Sequence, residues 1–250
     1  MQFQLQNLAL RHDPFPIGVA RPLFPDDAYA RLLEAYPNKE HFHYLGKVGH
    51  KYVLSEKFNA RAYRDFIHNT PVWRDLHGWI KSDAFIYGVM DSLREQNIDL
   101  GFDAPLSAAK RLRKYAKNVA KGRYWELAPK LRARFEFSML PADGGSVIPH
   151  TDEPGKIVTI VISMAREGEW DPAWGGATEV NRPKDATRLF NRMNYKADFE
   201  EMELLDSFAY EPNQAVVFVK TFNSWHSVRP MNGPADALRR TLTINIEARG

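Results

Sequence analysis

The sequence predicts a mixed fold in which a jelly-roll barrel forms the second half and a helix-rich first half packs outside it. Two observations predict this. From about residue 130 onward, short runs of β-branched and aromatic residues are separated by Gly, Pro, Asn and Asp, as in a protein of many short strands. Before that point apolar residues recur at helical spacing, and no linker divides the two halves. A chain of 250 residues with 44% hydrophobic and 12% aromatic side chains can bury one sizeable core. We therefore expect a single domain over 1–250, with 1–130 as helix-rich support and 131–250 as the β core.

The elements follow in chain order. "PFPIGVARPLF" (14–24) reads as extended. "DDAYARLLEAY" (26–36) reads as a helix, with Pro25 before it, acids in the first turn, and Ala28, Leu32, Leu33 and Tyr36 along one stripe. Further helices are expected over 60–66, 72–81, 84–96 and 108–120. Strands are expected at "RARFEFSML" (132–140), "IVTIVISM" (157–164), "ATEVN" (177–181), "AVVFVKTF" (215–222), "HSVRPM" (226–231) and "RTLTINIEA" (240–248). The polar, weakly periodic stretch 182–206 reads as an insertion or lid over the barrel mouth.

Composition narrows the function classes. No apolar run is long enough to cross a bilayer, and the N-terminus has neither the basic start nor the apolar middle of a signal peptide, so the cytoplasm is the expected compartment and no membrane partner is expected. With no cysteine, a metal would have to be held by His, Asp or Glu, a set that suits iron, manganese or zinc. The net charge of +3 is concentrated in 110–134, where ten Lys and Arg face the single acid Glu126. A solvated helix face explains this run better than nucleic-acid binding, because only Tyr115, Tyr124 and Trp125 interleave it. The same charge could recruit an anionic substrate. No pattern in the sequence speaks to oligomeric state.

The stretch "PHTDEP" (149–154) sets His150 and Asp152 two residues apart, so in an extended segment both face one way. A third ligand must come from elsewhere, and His226 in "FNSWHSVRPM" is the best placed. Two histidines and a carboxylate on one face of an octahedron suit non-haem Fe(II). The bland alternative is that His150 and Asp152 merely shape a turn before Pro154 and Gly155. In the last strand, alternation puts Arg240, Leu242, Ile244 and Ile246 on one face and Arg239, Thr241, Thr243, Asn245 and Glu247 on the other. Arg240 is therefore expected to point inward, where a guanidinium needs an anion, and Arg239 to face solvent. An internal salt bridge is the competing account of Arg240.

Taken together these features resemble the Fe(II)- and 2-oxoglutarate-dependent oxygenases, in their prolyl-4-hydroxylase-like branch. The matching residues are His150-Thr151-Asp152, His226 followed by Val228 and Pro230, and Arg240 opening "TLTINI" fourteen positions on, with "WDPAWGGATEV" (170–180) resembling the family's Gly-Gly turn and strand. The resemblance spans 132–248. It implies a double-stranded β-helix (jelly-roll, cupin-like), with His150, Asp152 and His226 as the catalytic iron ligands and Arg240 holding the distal carboxylate of 2-oxoglutarate. Dioxygen would be the second co-substrate, with ascorbate as an optional accessory. The implied reaction is oxidative decarboxylation to succinate and CO2 coupled to hydroxylation of an unactivated C–H bond. The carboxylate of Asp152 favours hydroxylation over halogenation, since halogenating relatives carry a small residue there. The substrate would be a small molecule or a group borne on a carrier or peptide. Two alternatives stand beside this: a cupin-like metalloenzyme that does not use 2-oxoglutarate, and a basic nucleic-acid-binding protein. Lys156 is expected to be solvated, Trp225 to pack beside the metal, and Arg134 and Glu136 to share a strand face, as surface charge or at the pocket.

Overall fold

A computed structural model describes residues 2–46, 49–102 and 130–249, with isolated positions between 113 and 122. The helix expected over 108–120 is described only at isolated positions, and four of the ten basic residues of the run, Lys110, Arg111, Lys114 and Arg123, lie outside the described residues. Arg132 and Arg134 of that run do not lie on a helix. They sit on a strand and both pair with Glu247, each at 2.9 Å.

Among the continuously described residues four helices form where apolar periodicity placed them: α1 (Asp26–Glu34), α2 (Ala60–Asn69), α3 (Pro71–Ile80) and α4 (Asp83–Glu95). Acids fill the first turn of α1 and Pro71 opens α3, where a missing N–H costs nothing. The Ser82 hydroxyl caps α4 by accepting from the Phe85 N–H.

The strands build two antiparallel sheets. The larger has the order β1 (Leu8–Arg11), β2 (Ile17–Ala20), β10 (Ala215–Val219), β7 (Lys156–Ser163), β12 (Leu238–Arg249), β5 (Lys130–Pro141), β4 (Lys51–Ser55), β3 (His43–Leu45). The smaller has the order β6 (Val147–His150), β11 (His226–Val228), β8 (Thr178–Pro183), β9 (Met202–Phe208). The β core is thus a jelly-roll-like pair of sheets facing each other across a cavity, and no closed ring of strands exists among the described residues. The stretch expected to interrupt the strands begins and ends in them. Residues 182 and 183 belong to β8 and 202–206 to β9, and the two strands pair. Only 184–201 loops out.

β12 lies at the centre of the large sheet and explains the layering. Leu242, Ile244 and Ile246 are fully buried in one cluster with Phe135 and Phe137 of β5 and with Leu32, Trp73 and Leu76 of the helices. The Trp73 ring meets Phe137 edge-on at 4.7 Å. The helices therefore cover the outer face of the large sheet. Its inner face carries polar side chains where β5, β7 and β12 meet the cavity, and an apolar patch where Ile17, Val216 and Phe218 pack against Val180 of the small sheet. No helix among the described residues is long and apolar enough to cross a membrane.

Candidate metal centre

The small sheet brings the two histidines together. β6 and β11 pair with His150 directly opposite His226, and their rings stand 4.3 Å apart. Asp152 does not lie in the strand with His150. The chain leaves β6 and turns through a left-handed conformation at Asp152 (φ 69°), which aspartate tolerates better than most residues, and this turn swings the carboxylate back toward the imidazoles. One ligand atom from each of His150, Asp152 and His226 falls within 4.8 Å of the others.

Hydrogen bonding then fixes what these atoms offer. Nδ1 of His150 bonds the Ile148 carbonyl at 2.9 Å, and Nδ1 of His226 bonds the Ser224 carbonyl at 2.9 Å. A carbonyl only accepts, so each Nδ1 carries a proton, and in its neutral form each ring turns an Nε2 lone pair inward. Burial, with His150 adding to it, pushes His226 down to about 3, so this ring is neutral at physiological pH. Nε2 of His150 lies 3.5 Å and Nε2 of His226 4.0 Å from the Asp152 carboxylate. Burial works against ionising Asp152, but the donors around it, the Lys156 ammonium among them, hold its carboxyl well below the usual carboxylate range. Two imidazole lone pairs and a carboxylate facing one point make a donor set for a divalent cation of intermediate hardness.

The cavity, about 130 Å³, is walled on the large-sheet side by alternate residues of β12. Here the structure reverses the expected placement of the arginines. The alternation along β12 is as read, but its apolar face packs on the helices and its polar face lines the cavity. Arg240 therefore points away from the site. Its guanidinium pairs with Glu169 and lies over the Tyr36 ring, and its side chain is 22% exposed. Arg239, expected in solvent, is 5% exposed and lines the cavity together with the triad. Its Nε donates to the Gly176 carbonyl at 2.6 Å, and its guanidinium stacks over Tyr210 at 4.8 Å. Burial pushes Arg239 down to about 10, which leaves it charged at neutral pH. Among the described residues no carboxylate pairs with it. Gly176 makes this possible: its φ is +90°, and a side-chain carbon there would sit 3.2 Å from Arg239 Cδ and 3.1 Å from the Trp170 ring.

Several further residues complete the site. The Thr159 hydroxyl lies 2.9 Å from Asp152 Oδ2 and 3.0 Å from the Asn245 side-chain amide. The Thr159 hydroxyl has one proton to offer between two acceptors, Asp152 Oδ2 and Asn245 Oδ1. Lys156 is not solvated: its ammonium reaches Asp152 Oδ1 at 2.5 Å. Glu136 lies buried on the same wall, on β5 beside Thr243 of β12, bonded by Lys51 at 2.9 Å. These residues carried a sequence signal, since Thr241, Thr243 and Asn245 alternate with Leu and Ile, and polar residues at every second position of a central strand mark a polar cavity. Trp225 is buried and donates from Nε1 to the Leu189 carbonyl, while the Thr151 hydroxyl donates to the carbonyl of Asn191. The loop 184–201 thus braces the segments that carry the ligands, and none of its residues lines the cavity.

With this geometry in view, comparison with known proteins gives similarity at the level of structure. No protein-family model matches the sequence, and no curated protein compared with it matches. Solved structures similar to the chain include 2-oxoglutarate and Fe(II) oxygenases. A Pseudomonas putida prolyl-4-hydroxylase is 14% identical with a TM-score of 0.45, the alignment covering 93% of this chain and 92% of that one. A Trichoplax adhaerens prolyl hydroxylase, in complex with a hypoxia-inducible-factor peptide fragment, is 12% identical with a TM-score of 0.47, covering 92% and 83%. The epimerase SnoN of nogalamycin biosynthesis, non-haem and α-ketoglutarate-dependent, is 12% identical with a TM-score of 0.41, covering 92% and 76%.

Proposed function

We propose that the protein is an Fe(II)- and 2-oxoglutarate-dependent oxygenase that hydroxylates an unactivated C–H bond. The observation that carries this reading is one cavity holding two kinds of unmet demand. The Nε2 atoms of two imidazoles converge with the Asp152 carboxylate on one point, and Arg239 is a buried cation that no carboxylate pairs with among the described residues. A ferrous ion answers the first and a dicarboxylate the second.

In this reading His150, Asp152 and His226 hold the metal, and Arg239 takes the role expected of Arg240, gripping the far carboxylate of 2-oxoglutarate with its planar fork. Thr241, on the same wall, is placed to donate to that carboxylate, with its hydroxyl 2.8 Å from that of Ser138. Bound iron and 2-oxoglutarate supply the oxidising power, using dioxygen and releasing succinate and CO2. The residues of the chain orient and exclude. Thr159 and Asn245 fix the Asp152 carboxylate, and Trp225 closes the protein behind His226. Lys51, Arg134 and Glu136 line the wall that meets the substrate, a small molecule or a group carried on a peptide or carrier. The competing cupin-like reading without 2-oxoglutarate leaves Arg239 unexplained.

The test is anaerobic titration of the iron-loaded protein with 2-oxoglutarate, followed by the visible charge-transfer band of the chelate. Wild type is expected to develop the band and Asp152→Ala to lack it. Arg239→Met should weaken 2-oxoglutarate binding by about tenfold or more, because a buried hydrogen-bonded charge pair is lost, while Arg240→Met should leave it nearly unchanged. No band in wild type, or equal binding by Arg239→Met, would overturn the reading.

A further inference from the structure

Lys156 opens β7 four residues after Asp152, and the left-handed turn between them folds its side chain back into the cavity. The side chain is 12% exposed, and its ammonium lies 2.5 Å from Asp152 Oδ1, while Thr159 holds Oδ2 at 2.9 Å. Both oxygens of the candidate metal ligand are therefore engaged by donors of the chain itself. Lysines avoid such burial, and this one has no other hydrogen-bond or ion-pair partner among the described residues, so its place is explained by the carboxylate it meets.

The consequence for a metal is electrostatic. A dication that binds Asp152 must share the carboxylate with an ammonium of the same sign in a buried site, where like charges repel more than in water. The ammonium also does for Asp152 what a metal does, supplying a counter-charge and a fixed direction. We infer that Lys156 is a resident counter-ion of the metal centre: a positioning residue that holds Asp152 in place, competes with the metal for its carboxylate, and so sets the metal affinity of the site. This rests on the reading of His150, Asp152 and His226 as metal ligands.

The experiment measures Mn(II) and Co(II) binding to the chelator-stripped full-length protein by calorimetry, with the visible spectrum of Co(II) reporting the ligand set. Lys156→Met removes the charge and keeps most of the stem. It should bind Mn(II) about tenfold tighter than wild type or better, the scale on which neighbours of metal ligands act. Its melting temperature in chelator should fall, because Asp152 is left buried without a counter-charge. Lys156→Arg, which keeps the charge, should bind Mn(II) within about threefold of wild type. Should Lys156→Met fail to fold, Lys156→Gln carries the same expectation. Equal or weaker Mn(II) binding by the neutral variants overturns the inference while leaving the metal site standing. If Asp152→Ala binds metal as wild type does, or if neither wild type nor the neutral variants bind it, the metal-site reading itself falls and takes this inference with it.

Discussion

At α3 the His77 ring stands edge-on to Phe135 at 5.4 Å and to Tyr63 at 5.9 Å, and its Nε2 is buried without a hydrogen-bond partner. Burial, reinforced by Lys81, pushes its pKa down from 6.5 to about 4, against the opposing pull of Glu56. Between those two values the unfolded chain binds a proton that the folded chain refuses. Stability from this residue is then complete above about pH 6.5 and drains away as pH falls toward 4. Urea unfolding across that window should show stability falling with acid, and His77→Phe, which keeps the ring contacts, should flatten the slope. An unchanged slope would contradict this account. Arg239 and Arg240 teach a different lesson at the same scale. Period-2 alternation was legible in the sequence and correctly separated them onto opposite faces. Which face meets the cavity was not legible, because a sheet with helices on one side and a polar site on the other reverses the usual equation of apolar with inward.

β12 and the turn that supports Arg239 carry the next predictions. Ile244 is fully buried between β5, β7 and the helices, so Ile244→Ala should cost about 2–5 kcal/mol in urea unfolding while sparing the triad on the other face. Gly176→Ala acts oppositely. A methyl group there strains a backbone at φ +90° and crowds Arg239, Trp170 and the Met231 sulfur, at 3.1 to 3.2 Å. It should weaken 2-oxoglutarate binding, read by the same charge-transfer titration, more than it lowers the melting temperature. The strands around these features were legible as β-branched runs between turn residues. The hairpin of β3 and β4 was not: β3 is three residues long, "HYL", and too short to show a period. Likewise β9, "MELLDSF", lies on the small sheet with most of its side chains outward, and its acids read as loop.

Over the whole molecule, helices and sheet are tied by more than apolar contact. The Tyr36 hydroxyl, just past α1, bonds the carbonyls of Ser138 and Thr241 at 3.0 Å each, and Tyr29 bonds those of Ser163 and Ala165 at 2.9 and 2.7 Å. Burial raises the pKa of Tyr36 well above its ordinary value, so it remains a neutral donor. With one cluster spanning both layers, unfolding should be a single transition in which far-ultraviolet circular dichroism and tryptophan fluorescence coincide. Tyr36→Phe should lower stability by about 1–3 kcal/mol without separating the two probes.

β12 is pinned along both edges, against β5 from Leu238↔Pro141 to Arg249↔Lys130 and against β7 from Thr241↔Ser163 onward. Immediately upstream, residues 234–236 are exposed and carry no strand pairing. Extra residues spliced into that seam would bulge into solvent instead of sliding the strand, so the distance along the chain from His226 to Arg239 can vary while the two keep their stations. Counting positions between such residues is for that reason a looser guide to kinship than the ladder that anchors them.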